Sequence, residues 1–379
     1  MTYNSPRLEW IATDMRTGEV IADLPDLDGE GSSPITILQT MGRYETANAM
    51  LPLPTAPENW DYATTAGAAA LVLLQDDIPI WGGFVNRRTR GVGDTISLTL
   101  ATYEAYFDRR YLGDVTFTQV GQNSIVQSLV NSYAAAGPNG GIPIRVQIVN
   151  GGAGKLRDRT YYDKDDKTLY SALQDIAGVI NGPEWTIGWE HLTNPERYTP
   201  VLYVGDRLGA SLPAGLMPLA TFEMPGHLTA AELFEDFTSA AGATSVMAYS
   251  SGQGDTRPQS PKLTSTDPRR PTFEYRFSPS SSITDIDTLT GHAQGKLAQL
   301  AGGTTTVSLA AFIPDAPQLG VDWNLGDDVG FQLGGLDSSG KDTVPAFPGG
   351  RVGVARVIGW EIELGNNPFI TPVLAGPAI

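Results

Sequence analysis

The sequence predicts a mainly β protein with an α+β insert, and three observations carry that expectation. Its 379 residues include 43 Gly and 27 Pro, and punctuation that frequent favours many short strands joined by turns over a few long helices. Short alternating runs dominate both ends of the chain, whereas helix-patterned segments cluster near its middle. With 41% hydrophobic and 18% charged residues the composition is globular. A chain this long can divide into two or three domains, each burying a core without disulfides.

The elements follow in order. "RLEWIATDMRTGEVIADLP" reads as strand, turn at Thr17-Gly18, strand, with Gly18 supplying positive φ. "SPITILQT" is a third strand, and "AALVLLQ" and "IPIWGGFV" form a hairpin about Asp76-Asp77. "DTISLTLAT" sets Ile96, Leu98 and Leu100 on one face, the sixth antiparallel candidate and enough to close a small barrel or sandwich. The arginines between the last two runs read as a basic loop. In the middle, Ile125, Leu129 and Tyr133 make one helical stripe, with Asn123 as N-cap and Gly137-Pro138 as stop. A second stripe runs through Leu169, Leu173, Ile176 and Ile180, with Asp166 as cap. "EWTIGWE" and "PVLYVG" then supply strands. Beyond them "ATSVMAYS" is strand-like, and "SGQGDTRPQSPKLTSTDPRRP" reads as an exposed loop. A third helix carries Ile286, Leu289, Ala293, Leu297 and Leu300, before the strands "TTTVSLAAF", "GDDVGFQL" and "RVGVARVIGWEIEL". The expected partition is a barrel-like domain at 1–112, an α+β domain at 113–225, and a second barrel-like domain with one helix at 226–379. "GDTISLTL" and "GDDVGFQL" both enter a strand through Gly-Asp, which suggests an internal duplication.

Charge and composition exclude several roles. A net charge of −17 opposes nonspecific nucleic-acid binding, which needs Lys and Arg against phosphate. The N-terminus has no apolar core of a signal peptide, and no window approaches 18 apolar residues, so a soluble cytosolic product without a membrane span is expected. There is no Cys and only His191, His227 and His292, which leaves thiolate chemistry out and each imidazole alone.

Candidate chemistry is weak. Carboxylate pairs for glycoside hydrolysis, about 5 to 9 Å apart, could be drawn from Asp163, Asp165 and Asp166, from Glu184 and Glu190, or from Glu232, Glu235 and Asp236. Asp166 already has a capping role. "DKDDKT" lacks the Gly and terminal Glu of a calcium loop, and "DSSGKD" reads as a polar hairpin tip. No nucleophile elbow and no phosphate loop is present. No catalytic, cofactor or metal site is therefore expected. Trp81, Trp185 and Trp189 could stack on sugars, or pack in a core or interface.

One feature stands out: Arg87, Arg88 and Arg90, with Arg109 and Arg110 downstream, concentrate positive charge in an acidic chain. Three uses are open: a solvated hairpin, a sugar or phosphate patch, or a subunit interface with an acidic neighbour. On the interface reading, charge reversal at Arg87, Arg88 and Arg90 together should block assembly and leave the fold intact.

The order of these features resembles a known family. "IPIWGGFVNRRTR" followed by "DTISLTLATYEAYFDRRYL" looks like the N-terminal barrel of phage tail hub proteins, and "YYDKDDKTLYSALQDIAGVINGPEWTIGWE" resembles their helix and following strand. "DFTSAAGATSVMAYSSGQG", "TLTGHAQGKLAQLAGGTTTVSLAAF", "WNLGDDVGFQL" and "RVGVARVIGWEIEL" are similar to the return strand, closing helix and second barrel. The likeness runs along nearly the whole chain and is greatest to minor tail proteins of long, noncontractile-tailed actinobacterial phages. It implies a structural virion protein assembled in the host cytoplasm: a homotrimeric hub at the tail tip, meeting the distal tail protein ring. Its partners would be the tape-measure protein, other minor tail or receptor-binding proteins, and DNA in transit. The alternatives are a receptor- or carbohydrate-binding tail module, or a tail-tip cell-wall hydrolase. The chain ends at "PFITPVLAGPAI", without the extensions of longer members.

Overall fold

A computed structural model describes residues 6–29, 33–179, 181–213, 216–239, 241–252, 256–279 and 283–375. Two compact units result: Met1–Ala231 with Leu309–Leu374, and Glu232–Ser308 with Ala375–Ile379. The protein is mainly β, as expected, and no helix among the described residues is long and apolar enough to cross a membrane.

The larger unit begins with β1 (Leu8–Asp14), β2 (Val20–Asp23), β3 (Ile35–Thr40), β4 (Thr46–Pro52), a short α1 (Trp60–Ala63), β5 (Ala69–Gln75), β6 (Ile78–Arg90) and β7 (Thr95–Thr102). Six of these strands form a sheet in the order β2-β1-β5-β6-β7-β4. Paired backbone hydrogen bonds between Asp28 and Met50 bring the chain after β2 against β4, so the sheet curls into a barrel-like wall. The turns are those the sequence foretold: Gly18 has φ +76°, and Asp76 and Asp77 both take positive φ in the β5–β6 hairpin. β5 is buried along its whole length. An uninterrupted apolar strand requires cover on both faces, and one cover is the cluster of Ile11, Val72, Leu74 and Tyr198, with Trp189 packed against it.

After α2 (Glu104–Phe107) come β8 (Val115–Gly121), α3 (Gln122–Tyr133), β9 (Arg145–Ile148), β10 (Leu156–Tyr161), α4 (Leu169–Ala177), β11 (Glu184–Thr193) and β12 (Glu196–Gly205). β11 and β12 form an antiparallel hairpin that β9 extends in parallel, and β8 pairs with β10. Both helices were expected, but neither cap was. Asn123 lies inside α3, fully buried, with its amide donating to the Gly152 carbonyl at 2.8 Å, and Gly121 holds the cap position. Asp166 sits in a left-handed turn, and the Thr168 hydroxyl caps α4 by accepting the Ser171 amide at 3.1 Å. Leu169, Leu173 and Ile176 are buried as expected, and Ile180 lies outside the described residues.

The C-terminal sheet is built from β13 (Thr221–Met224), β14 (Leu228–Asp236), β18 (Thr304–Phe312), β19 (Asp328–Leu333), β20 (Arg351–Leu364) and β21 (Phe369–Ala375), with β14 from Glu232 on and β18 up to Ser308 assigned to the smaller unit. The sheet order is β13-β19-β20-β21-β18-β14. β20 pairs with β19 through its first half and with β3 through its second, Gly359 to Leu364 opposite Thr40 to Ile35. A strand from the N-terminal stretch thus completes the C-terminal sheet. The two Gly-Asp strands sit differently, β7 antiparallel to both neighbours and β19 parallel to β13.

The smaller unit holds β15 (Ser245–Ala248), β16 (Leu263–Thr264), β17 (Glu274–Phe277) and α5 (Ile286–Leu300). Val246, Ala248, Leu289, Ala293 and Leu300 share its core, whereas Ile286 of the expected stripe is exposed. The polar segment read as a loop is anchored instead: β16 pairs with β15, and buried Ser260 exchanges hydrogen bonds with Ala248. Backbone pairing outweighs its Pro-rich composition.

Candidate functional site

The arginines do not lie in a loop. β6 continues through Arg87, Arg88 and Arg90, opposite Thr99, Leu98 and Ile96 of β7, with a register shift after Val85. The turn comes only at Gly91 to Asp94, where Val92 is fully exposed. Arg88 points back into its own subunit, donating to the Asp61 carbonyl at 2.6 Å and the Thr64 hydroxyl at 2.9 Å. Its side chain is only 14% exposed and pairs with the Asp61 carboxylate at 3.2 Å. Burial, and then the neighbouring Arg90 charge, pull its pKa below the usual value. Arg90 reaches the same carboxylate and lies over the Trp60 ring. Arg87 is exposed and has no side-chain partner among the described residues. Downstream, Arg110 donates to the Tyr133 and Ala136 carbonyls at the end of α3, while Arg109 is exposed. Of five clustered arginines, Arg88, Arg90 and Arg110 are tied within the chain, so reversing Arg87, Arg88 and Arg90 together would also remove bonds internal to the fold.

The carboxylate candidates are not brought together for acid–base work. Glu184 and Glu190 lie six residues apart on β11, roughly 20 Å at strand rise. Burial alone would raise the Glu184 pKa, but the Arg356 guanidinium and the Leu208 amide outweigh it and hold the group below its usual value. Glu190 receives a forked pair of 2.7 Å hydrogen bonds from Arg145. Asp163 and Asp165 open a single turn before α4. Glu232 and Glu235 are exposed on β14, and Asp236 accepts the Thr238 amide. No group of three metal-ligating side chains gathers among the described residues. "DSSGKD" is a hairpin tip, with Asp337 accepting the Ser339 and Lys341 amides.

Trp81 and Trp185 are each about 1% exposed, which closes the sugar-stacking use for both. The Trp81 ring nitrogen donates to the Leu38 carbonyl at 2.9 Å, tying β6 to β3. Trp189 is half-buried, edge-on to Tyr103. His191 stacks on Tyr198 across the β11–β12 hairpin, and His227 and His292 lie on other elements.

The unforeseen feature is a buried polar cluster where the three main sheets of the larger unit meet. Glu104 of α2 is completely buried, beside Thr102 of β7, Gln39 of β3 and Thr186 of β11. The Gln39 amide reaches Glu104 Oε1 at 3.4 Å, the Thr186 hydroxyl at 3.2 Å and the Ile187 carbonyl at 3.4 Å. Burial pushes the Glu104 carboxyl up to about 7, although Thr102, its own amide, the Ile187 amide and Gln39 all favour the charged form. Next to it a cleft of about 590 Å³ is lined by Gln39, Thr186, Ile187, Trp189, Tyr203 and Trp360, among others. The only sequence signal was an acid embedded in the apolar run "ATYEAYF".

This architecture has solved counterparts along its whole length. A tail protein from Neisseria meningitidis MC58 matches at TM-score 0.56, with 14% identity over 96% of each chain. The 43 kDa tail protein of prophage MuSo2 from Shewanella oneidensis matches at TM-score 0.57, with 11% identity over 97% of this chain and 98% of that one. The fold is that of phage tail proteins. The tail-protein fold also recurs in a Francisella PdpA-VgrG complex, at TM-score 0.53 and 6% identity, where this chain covers 58% of its counterpart. No family model matches the sequence, and no curated protein matches it. The likeness therefore lies in the backbone, with side chains almost wholly replaced.

Proposed function

We propose that this chain is a structural virion protein, the trimeric hub at the distal tip of a phage tail tube. The observation that carries the reading is the end-to-end match to two solved tail proteins. In this reading residues 1–112 and 226–379 are the two hub modules, with β3 of the first lent to the sheet of the second. Residues 113–225 form the α+β insert between them. Two modules per subunit in a trimer present six similar surfaces, which lets a threefold hub meet a sixfold distal tail protein ring. The channel they enclose or close would pass tape-measure protein and then DNA, and an acidic chain of net charge −17 would not retain DNA in transit.

In this reading the role is structural and not catalytic, and the sequence resemblance is greatest to minor tail proteins of actinobacterial phages. Arg87, exposed and without a side-chain partner among the described residues, is the member of the arginine set best suited to meet an acidic neighbouring subunit; Arg88 and Arg90 brace the strand that presents it. Immunogold electron microscopy of isolated tails tests the reading: label confined to the distal end is expected. Label along the shaft, or at the head-proximal end, would overturn it.

A further inference from the structure

We propose that Glu104 is a proton-operated latch at the three-sheet junction, closed while its carboxyl is neutral and loosened when the carboxyl ionises. The argument starts from the free edge of β11. β12 occupies one edge of that strand. On the other, the Ile187 carbonyl accepts from Gln39, whose amide also reaches Glu104 Oε1, so β3 and the buried acid of α2 stand where a neighbouring strand would. Thr102 at the end of β7 is buried beside the carboxyl and favours its charged form, which brings β7 into the same cluster. The cluster around one carboxyl therefore draws on all three sheets, because β3 belongs to the C-terminal sheet, β7 to the barrel-like sheet and β11, reached through Gln39, to the insert.

The cluster offers the carboxyl neutral donors but no opposite charge. Glu104 Oε2 has no hydrogen-bond partner, and every group bonded to the carboxyl is neutral. Around it stand Tyr103, which caps α2, and Tyr170 of α4, both held neutral to high pH by burial, with Tyr106 also on α2. Before β4, Glu45 meets Thr102 through its backbone amide. No Lys, Arg or His hydrogen-bonds to Glu104 among the described residues. An ionised carboxylate here must draw in water, and the adjacent cleft, lined by Gln39, Thr186 and Ile187, supplies the path. Hydration then competes for the Ile187 and Gln39 hydrogen bonds and frees the edge of β11. The latch does not depend on the tail reading.

The sign follows from linkage. The closed carboxyl titrates near 7 against 4.5 for a free one. The closed state is therefore fully favoured below about 4.5 and loses ground as pH rises through about 7. If the loosened state restores the ordinary value, its population relative to the closed state rises about tenfold between pH 6 and pH 8. Hydrogen–deuterium exchange of the full chain, corrected for intrinsic rates, reads this as protection. Peptides spanning Gln39, Tyr103 to Phe107 and Thr186 to Trp189 should lose about tenfold protection from pH 6 to 8, and Glu104→Gln should abolish the difference. Equal protection at both pH values in the wild type, or an unchanged slope in Glu104→Gln, would overturn the latch. A ¹³C-carboxyl NMR titration of glutamate-labelled wild type gives an independent reading should the variant fail to fold. One resonance titrating near 7 is expected, and all resonances titrating below about 5 would overturn the proposal.

Discussion

Reversing the charge of Arg88 should destabilise the fold measurably, whereas reversing Arg87, its immediate neighbour, should not. Arg88→Glu removes hydrogen bonds to the Asp61 carbonyl and the Thr64 hydroxyl and sets a carboxylate against Asp61 where a 3.2 Å ion pair stood. Charge-assisted hydrogen bonds contribute about 1.5 to 3 kcal/mol each, and a mostly buried charge left unpaired costs several more. Allowing for the exposure of Asp61, the net loss is about 3 kcal/mol. With m on the order of 3 kcal/mol per molar urea, the unfolding midpoint falls by about 1 M. Arg87→Glu removes no side-chain hydrogen bond or ion pair among the described residues and should shift stability by less than about 0.5 kcal/mol. Urea titrations followed by circular dichroism separate the two variants. An Arg88→Glu subunit as stable as wild type would refute the assignment of Arg88 to internal bracing. If Arg87→Glu folds normally but fails to assemble into tails, the interface role belongs to Arg87.

Two further substitutions probe the joints of the fold. A Cβ at Gly82 would stand 2.2 Å from the Trp189 ring, so Gly82→Ala should cost about 2 kcal/mol by overpacking and alter the near-ultraviolet dichroism of that tryptophan. Gly91→Ala, with nothing within 4 Å, is the control and should be silent. Arg356 ties β20 to Glu184 of β11 and to the Gly326 and Leu208 carbonyls. Arg356→Ala should cost about 2 kcal/mol, and because Glu184 then loses the cation that lowers its pKa, the cost should shrink as acid protonates that carboxyl. Stability measured at pH 7 and pH 4 checks both parts.

Local patterns carried much of this fold, and nonlocal pairings hid the rest. The β5–β6 hairpin announced itself through Asp76-Asp77 between apolar runs, and β7 through its alternation of Ile96, Leu98 and Leu100. β4 went unseen because its inward residues include Ala47 and Ala49, too small to stand out as a hydrophobic period. The caps of α3 and α4 were misplaced because Asn and Asp are favoured equally at turns, and only the fold decides which of them caps. The pairing of β3 with β20 joins residues more than 300 apart, which no local pattern encodes. For the site, Arg88 looked free because its partner Asp61 stands 27 residues upstream on a one-turn helix. Glu104 was not singled out for the same reason, its burial being created by β3 and β11 from elsewhere in the chain.

The central claim, a closed threefold hub, is tested most directly by the absolute mass of the purified protein, measured by light scattering across a concentration series. The account predicts a stable species near three times the 40.4 kDa chain mass. A monomer at every concentration, together with the absence of a threefold ring of this chain at the tip of isolated tails, would contradict it.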